Sequence, residues 1–156
     1  MDRKKFLGVM PLATVARLDA DRLGAHKVLG PDAERFIGTY KLISSGGSGE
    51  NPIGRIHYDR VGRMHVMFHA RDREPLPQNA TAEDYRESIR GMQAYFGTYT
   101  VDEIAKTVTH HMEGALSPND VGRDRVRWYT FDGNRLNLLT SQTATVPLVW
   151  EKLPED

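Results

Sequence analysis

The sequence predicts an all-β fold of about eight short antiparallel strands, arranged as a closed barrel or a sandwich and interrupted by one helix near residues 81–93. Three observations carry this expectation. β-Branched and aromatic runs of strand length recur at short spacing from Gly38 to Lys152. Tight-turn signals such as Asp59-Arg60-Val61-Gly62 and Asp132-Gly133 separate them. Convincing helical spacing occurs once, in Tyr85, Ile89 and Met92. Closure into a barrel is the more attractive arrangement because it removes exposed sheet edges.

Composition sets the frame. The 156 residues are 39% apolar and 27% charged, which fits one soluble globular domain, assigned to residues 31–156. The 21 basic and 21 acidic residues cancel, so no electrostatic footprint for nucleic acid follows. The absence of cysteine excludes disulfides, thiolate metal sites and cysteine nucleophiles. No apolar run reaches the length of a membrane-spanning helix.

Residues 1–30 stand apart. Arg3-Lys4-Lys5-Phe6-Leu7, followed by a mildly apolar stretch with small residues at Thr14 and Ala16, has the layout of an export signal. It resembles the twin-arginine motif, with Lys4 in place of the second arginine. The other reading is a retained amphipathic arm packed on the domain. The two place the protein outside the cytoplasm or within it.

From Pro31 onward each element has its reason. Residues 31–37 suit one helical turn opened by proline. Residues 38–44 read as a strand, and the Gly/Ser-rich stretch to Pro52 as a loop. Residues 53–58 and 63–70 flank a hairpin turn. Residues 71–80 carry two prolines and many charges, a loop. Thr81 is a natural helix N-cap, with Glu83 and Asp84 in the first turn. Five further strands follow at 95–101, 106–113, 123–131, 134–140 and 145–152.

Turns assign faces, because strand side chains alternate. With Asp132-Gly133 as the turn, Tyr129 opposes Leu136, and Arg127, Tyr129, Phe131, Leu136 and Leu138 share the inner face. A buried arginine then needs an anion, carbonyl partners or an exit to the barrel mouth. With 102–105 as the turn, Tyr99 opposes Val108, so Tyr95, Tyr99, Val108, His110 and Met112 point inward. The threonine-rich face, with His111 and Glu113, points to water. In the first hairpin, Tyr58 opposes Arg63, which puts His57 inside with Met64, Val66 and Phe68. His57, His65 and His69 do not share a face and lack metal-ligand spacing, so no metal site is expected. No cofactor is implied either.

Several segments together resemble the bacterial and fungal lipocalin-like domain family. They are Gly38-Thr-Tyr-Lys-Leu-Ile-Ser, Pro52-Ile-Gly-Arg-Ile-His-Tyr-Asp, Tyr95-Phe-Gly-Thr-Tyr, Val108-Thr-His-His-Met-Glu-Gly, Asn119-Asp-Val-Gly, Arg125-Val-Arg-Trp-Tyr and Leu148-Val-Trp-Glu. The resemblance covers residues 34–152. Gly38-Thr-Tyr stands where lipocalins usually have Gly-x-Trp, and His57 stands where an aliphatic residue is expected. The resemblance implies an eight-stranded calycin-type barrel with a central cavity for one small ligand.

The expected function is binding of a small hydrophobic or amphipathic molecule. His57, Met64, Val66, Phe68, Tyr95, Tyr99, His110, Met112, Arg127, Tyr129 and Leu138 would line the site, with His110 and Arg127 as polar anchors. One alternative is an isomerase or cyclase acting on a small hydrophobic natural-product-like substrate, with His110 as general acid or base. The other is a structural domain with a closed core, plugged by Tyr85, Ile89 and Met92 of the helix. No nucleophile motif or phosphate loop supports chemistry. Oligomeric state is not legible.

Overall fold

The computed structural model describes residues 30–45 and 52–154. The readings made for residues 1–29 and for the center of the first Gly/Ser-rich loop lie outside the described residues. A short helix α1 (Pro31–Phe36) leads into eight strands. These are β1 (Gly38–Ser44), β2 (Pro52–Tyr58), β3 (Arg63–Ala70), β4 (Gln93–Asp102), β5 (Thr107–Ala115), β6 (Asp124–Asp132), β7 (Arg135–Leu139) and β8 (Leu148–Lys152). Helix α2 (Ala82–Ser88) lies between β3 and β4, and a single 3-10 turn (Pro118–Asp120) between β5 and β6. Every strand pairs antiparallel with its sequence neighbours, and β8 pairs with β1. The sheet is therefore a closed barrel, and the sandwich alternative falls.

Alternation builds the core. Tyr58, Met64, Val66, Tyr99, Val108, Met112, Tyr129, Leu136, Leu138 and Trp150 all point inward and are buried. Two-residue periodicity makes this the only face with enough apolar area to exclude water. One irregularity matters for the site. Gly97 of β4 faces Met112, so Glu113 is an extra residue on β5. A side chain at Gly97 would put its Cβ 1.9 Å from the His111 carbonyl oxygen. Only glycine allows that approach of the two strands.

The two ends of the barrel differ. At one end α1 folds under the strands, and Phe36, fully buried, meets Tyr58, Tyr129 and Phe131 edge-on at 5.2, 4.9 and 5.1 Å. Glu103, in the β4–β5 turn, accepts hydrogen bonds from the Asp32 and Ala33 backbone N–H groups at 2.8 and 3.0 Å. These free amides at the helix start need an acceptor. The Tyr129 hydroxyl donates to Asp32, and Lys106 forms an ion pair with the same carboxylate.

Helix α2 begins as read, with a reciprocal capping box between Thr81 and Asp84. Its expected role as a plug is corrected. It ends at Ser88, buries no residue, and leaves Tyr85 58% and Ile89 49% exposed. The short α1 closes the barrel instead, because Phe36 is the apolar group that arrives directly beneath the inner rings.

Three hairpins show how turn chemistry sets register. Tyr129 opposes Leu138, not Leu136, because Asp132 and Arg135 extend the ladder to a Gly133-Asn134 turn with Gly133 at φ 56°. Tyr99 opposes His110, not Val108, because Asp102 joins the ladder and its carboxylate caps the Ile104 and Ala105 amides. Both differences are two residues, so the assigned faces stand. In the β2–β3 hairpin the difference is one. Asp59 donates its N–H to the Arg63 carbonyl at 2.9 Å, leaving a three-residue loop that ends at Gly62 with φ 82°. Tyr58 therefore opposes Met64, and His57 turns outward beside His65.

Candidate functional site

The site lies at the end of the barrel away from α1. A cavity of about 590 Å³ opens there, inside the range usual for small-molecule sites. Its apolar walls come from Ile56, Val66, Phe68, Leu138, Leu148 and Trp150. Its polar groups include Gln93, Tyr95, His110, Arg125 and Arg127, and Ser45, Gly91, Thr140 and Val146 complete the lining. Among the described residues, two arginines and no carboxylate line it.

His110 is 1% exposed and is placed by β5 between two tyrosines. Its Nε2 lies 2.8 Å from the Tyr58 hydroxyl and its Nδ1 lies 2.9 Å from the Tyr95 hydroxyl. Burial first, and then the charges of Arg127 and Arg125, push its pKa down to about 3. The ring is neutral at physiological pH. Burial also raises the pKa of both tyrosines, most strongly that of Tyr58, so both hydroxyls keep their protons.

The two arginines come from alternate positions of β6, opposite His110 and Val108 of β5. Arg125 is matched: it donates to Asp120 at 3.0 Å and to Gln93 at 3.1 Å, and its guanidinium lies 4.9 Å from the Tyr95 ring center. Arg127 is not. Its one hydrogen bond is to the neighbouring Val126 carbonyl, and it has no ion pair among the described residues. Burial lowers its pKa, the signature of a cation drawn out of water.

The residues expected from sequence separate into three groups. Val66, Phe68, Tyr95, His110, Arg127 and Leu138 meet at the cavity. Met64, Tyr99, Met112 and Tyr129 face inward but lie in the packed core, outside the cavity lining. His57 lies on the outer surface, 2.9 Å from the Thr39 hydroxyl and stacked on His65 at 5.2 Å. His111 also faces outward, bridging Asp124 at 2.7 Å and Thr100 at 3.0 Å. Among the described residues no group of three or more His, Asp or Glu side chains is placed to hold a metal ion.

Nine of the cavity residues are absent from the sequence reading, and Arg125 and Trp150 are the two that matter most for its chemistry. Arg125 shares the alternation of Arg127 and Tyr129, so the same face assignment leads to it. Trp150 is 1% exposed, packs edge-on against Phe68 at 5.9 Å, and its indole N–H has no hydrogen-bond partner among the described residues. Nothing in β8's local sequence shows how close Trp150 comes to Phe68, because β8 reaches that wall only through barrel closure.

The closed eight-stranded meander with an internal cavity agrees with the family comparison, in which the lipocalin-like domain model matches residues 37–153. The chain belongs to the lipocalin-like domain family. No curated protein matches it closely enough to transfer an activity. The lipocalin-like barrel explains why the cavity is at one end only: eight strands enclose little more than their own side chains, so room for a ligand requires leaving one end unfilled. No helix among the described residues is long and apolar enough to cross a membrane.

Proposed function

We propose that this lipocalin-like barrel binds a small amphipathic anion, its apolar body among Val66, Phe68, Leu138 and Trp150 and its charged head on Arg127. The observation that carries this reading is Arg127 itself. A guanidinium drawn into a cavity without a carboxylate costs several kcal/mol unless an anion completes it, and the described walls hold no acid. The compensating charge therefore comes with the ligand. Arg125 supplies less net attraction, because Asp120 already neutralises it.

The state of His110 weighs for binding over the isomerase or cyclase alternative. Both ring nitrogens are engaged by tyrosines, and the lowered pKa leaves the ring a poor proton acceptor. His110 serves as an anchor through its tyrosine neighbours. The cavity volume weighs against a closed structural core.

Decanoate and decanol separate the terms. They share an apolar body and differ in charge. Calorimetry should find decanoate bound more tightly, with the advantage shrinking as salt rises. Equal affinities for the two would overturn the anion reading.

A further inference from the structure

The buried Tyr58–His110–Tyr95 chain has a direction. A neutral imidazole has one N–H donor and one acceptor nitrogen. Tyr58 is fully buried, and among the described residues its hydroxyl meets only His110 Nε2. If Nε2 carried the proton, it would donate to the Tyr58 oxygen, and the Tyr58 O–H would be left buried without an acceptor. An orphaned buried donor of this kind is disfavoured by about 1–3 kcal/mol. If Nε2 is bare, Tyr58 donates to it, and the one hydroxyl proton left to place is that of Tyr95, which lines the cavity where a ligand can accept it. The proton then sits on Nδ1, which donates to the Tyr95 oxygen.

That oxygen accepts a hydrogen bond from the ring, so its own proton must point elsewhere. No protein acceptor among the described residues takes it, and Tyr95 lines the cavity. We propose that Tyr58 locks His110 as its Nδ1–H tautomer, so that Tyr95 presents its hydroxyl proton into the cavity as a donor to an acceptor oxygen of the ligand.

This inference rests on the anion-binding reading for its ligand and sharpens the ligand's class. Tyr95 and Arg127 line the same cavity, one a neutral donor and one a cation. A head group with two acceptor oxygens sharing one charge, such as a carboxylate or the enolate of a 1,3-dicarbonyl, satisfies both. A one-oxygen alcohol satisfies Tyr95 alone. Tyr58 is then a positioning residue. It does not line the cavity, yet it governs what Tyr95 offers there.

The test has two arms. Nitrogen-15 NMR of the ligand-free protein, labelled at histidine, reads the tautomer directly. The expected result is a protonated Nδ1 and a bare Nε2 at His110, with that preference lost in Tyr58→Phe. A protonated Nε2 in the wild-type protein would overturn the relay whatever binds in the cavity. In the second arm, Tyr95→Phe should weaken decanoate about tenfold or more, while decanol loses less. Tyr58→Phe should lie between wild type and Tyr95→Phe. Unchanged decanoate affinity in Tyr95→Phe, with circular dichroism and melting temperature preserved, would overturn the ligand assignment. Failure of wild-type protein to bind decanoate at all would instead sink the anion-binding reading, and the NMR arm would still decide the relay.

Discussion

The closed and open ends of the barrel are built from the same strands and treat polar groups in opposite ways. At the closed end each polar side chain that enters the core has a protein partner: Tyr99 donates to the Asp59 carbonyl at 2.8 Å, Tyr129 to Asp32 at 2.8 Å, and Glu103 caps α1. At the open end, among the described residues, Arg127 lacks an ion pair and the Trp150 indole N–H lacks an acceptor, and the tautomer proposed for His110 leaves the Tyr95 hydroxyl proton to a ligand. Buried polar groups in a folded core are normally satisfied. A concentration of exceptions in one cavity, with full satisfaction about 10–15 Å along the same strands by strand rise, marks where the fold serves something other than its own stability.

The largest way to break this contrast is at the closed end. Phe36→Ala removes the ring that four aromatic side chains surround, and should destabilise folding by about 3–5 kcal/mol in denaturant titration. A loss under 1 kcal/mol would mean that α1 is not what seals the barrel. Next comes the pH dependence of His110. Its folded pKa of about 3 lies below the ordinary 6.5, so the unfolded chain binds the extra proton throughout that interval. Stability from this group is complete above pH 6.5 and declines as pH falls toward 3, by up to about 1.4 kcal/mol per pH unit. Asp32 and Glu151, whose carboxyl pKa values are lowered chiefly by hydrogen bonds from Lys106 and Lys41, add acid sensitivity in a lower range. His110→Gln should therefore flatten the stability curve between pH 4 and 6 relative to wild type; an unchanged slope there would contradict a buried neutral ring.

Arg127→Met sharpens the contrast from the open end. Decanoate affinity should fall about tenfold to a hundredfold, while folding stability holds or rises, since a cation lacking a partner is replaced by an apolar chain of similar length. A marked loss of stability would instead give Arg127 a structural role. Glu103→Ala unmakes two hydrogen bonds to α1 and should cost about 1 kcal/mol, leaving decanoate binding unaltered. Smallest of all, His57→Ala on the outer surface should change stability by less than about 0.5 kcal/mol and ligand affinity not at all. A clear effect on affinity would return His57 to the site.

The fate of individual residues shows what local pattern can and cannot reveal. Threonine-rich alternation on β4 and β5 identifies their wet face, so His110 reads as inward even though Tyr99 pairs two residues away from the partner its turn suggests. A two-residue error preserves faces, because the strand repeat is two. The β2–β3 hairpin erred by one, and His57 changed sides. Asp59 there reads as a turn residue, and only its ladder bond to Arg63 shows it to be part of the strand. The Tyr85 and Ile89 stripe was equally visible, but amphipathic spacing says a helix has an apolar side without saying that anything covers it.

Side-chain alternation and turn chemistry are local properties of a strand, so the chain alone reveals its β character and the inward parity of Tyr95, His110, Arg127 and Leu138, and its segment motifs reveal the resemblance to the lipocalin-like domain family. Tertiary structure alone decided that α1 and not α2 seals the barrel, that Trp150 meets Phe68, and that Tyr58 reaches His110 across 52 positions of chain. Those contacts join elements distant in sequence, and they exist only once β8 has closed on β1 and the inner faces are brought together.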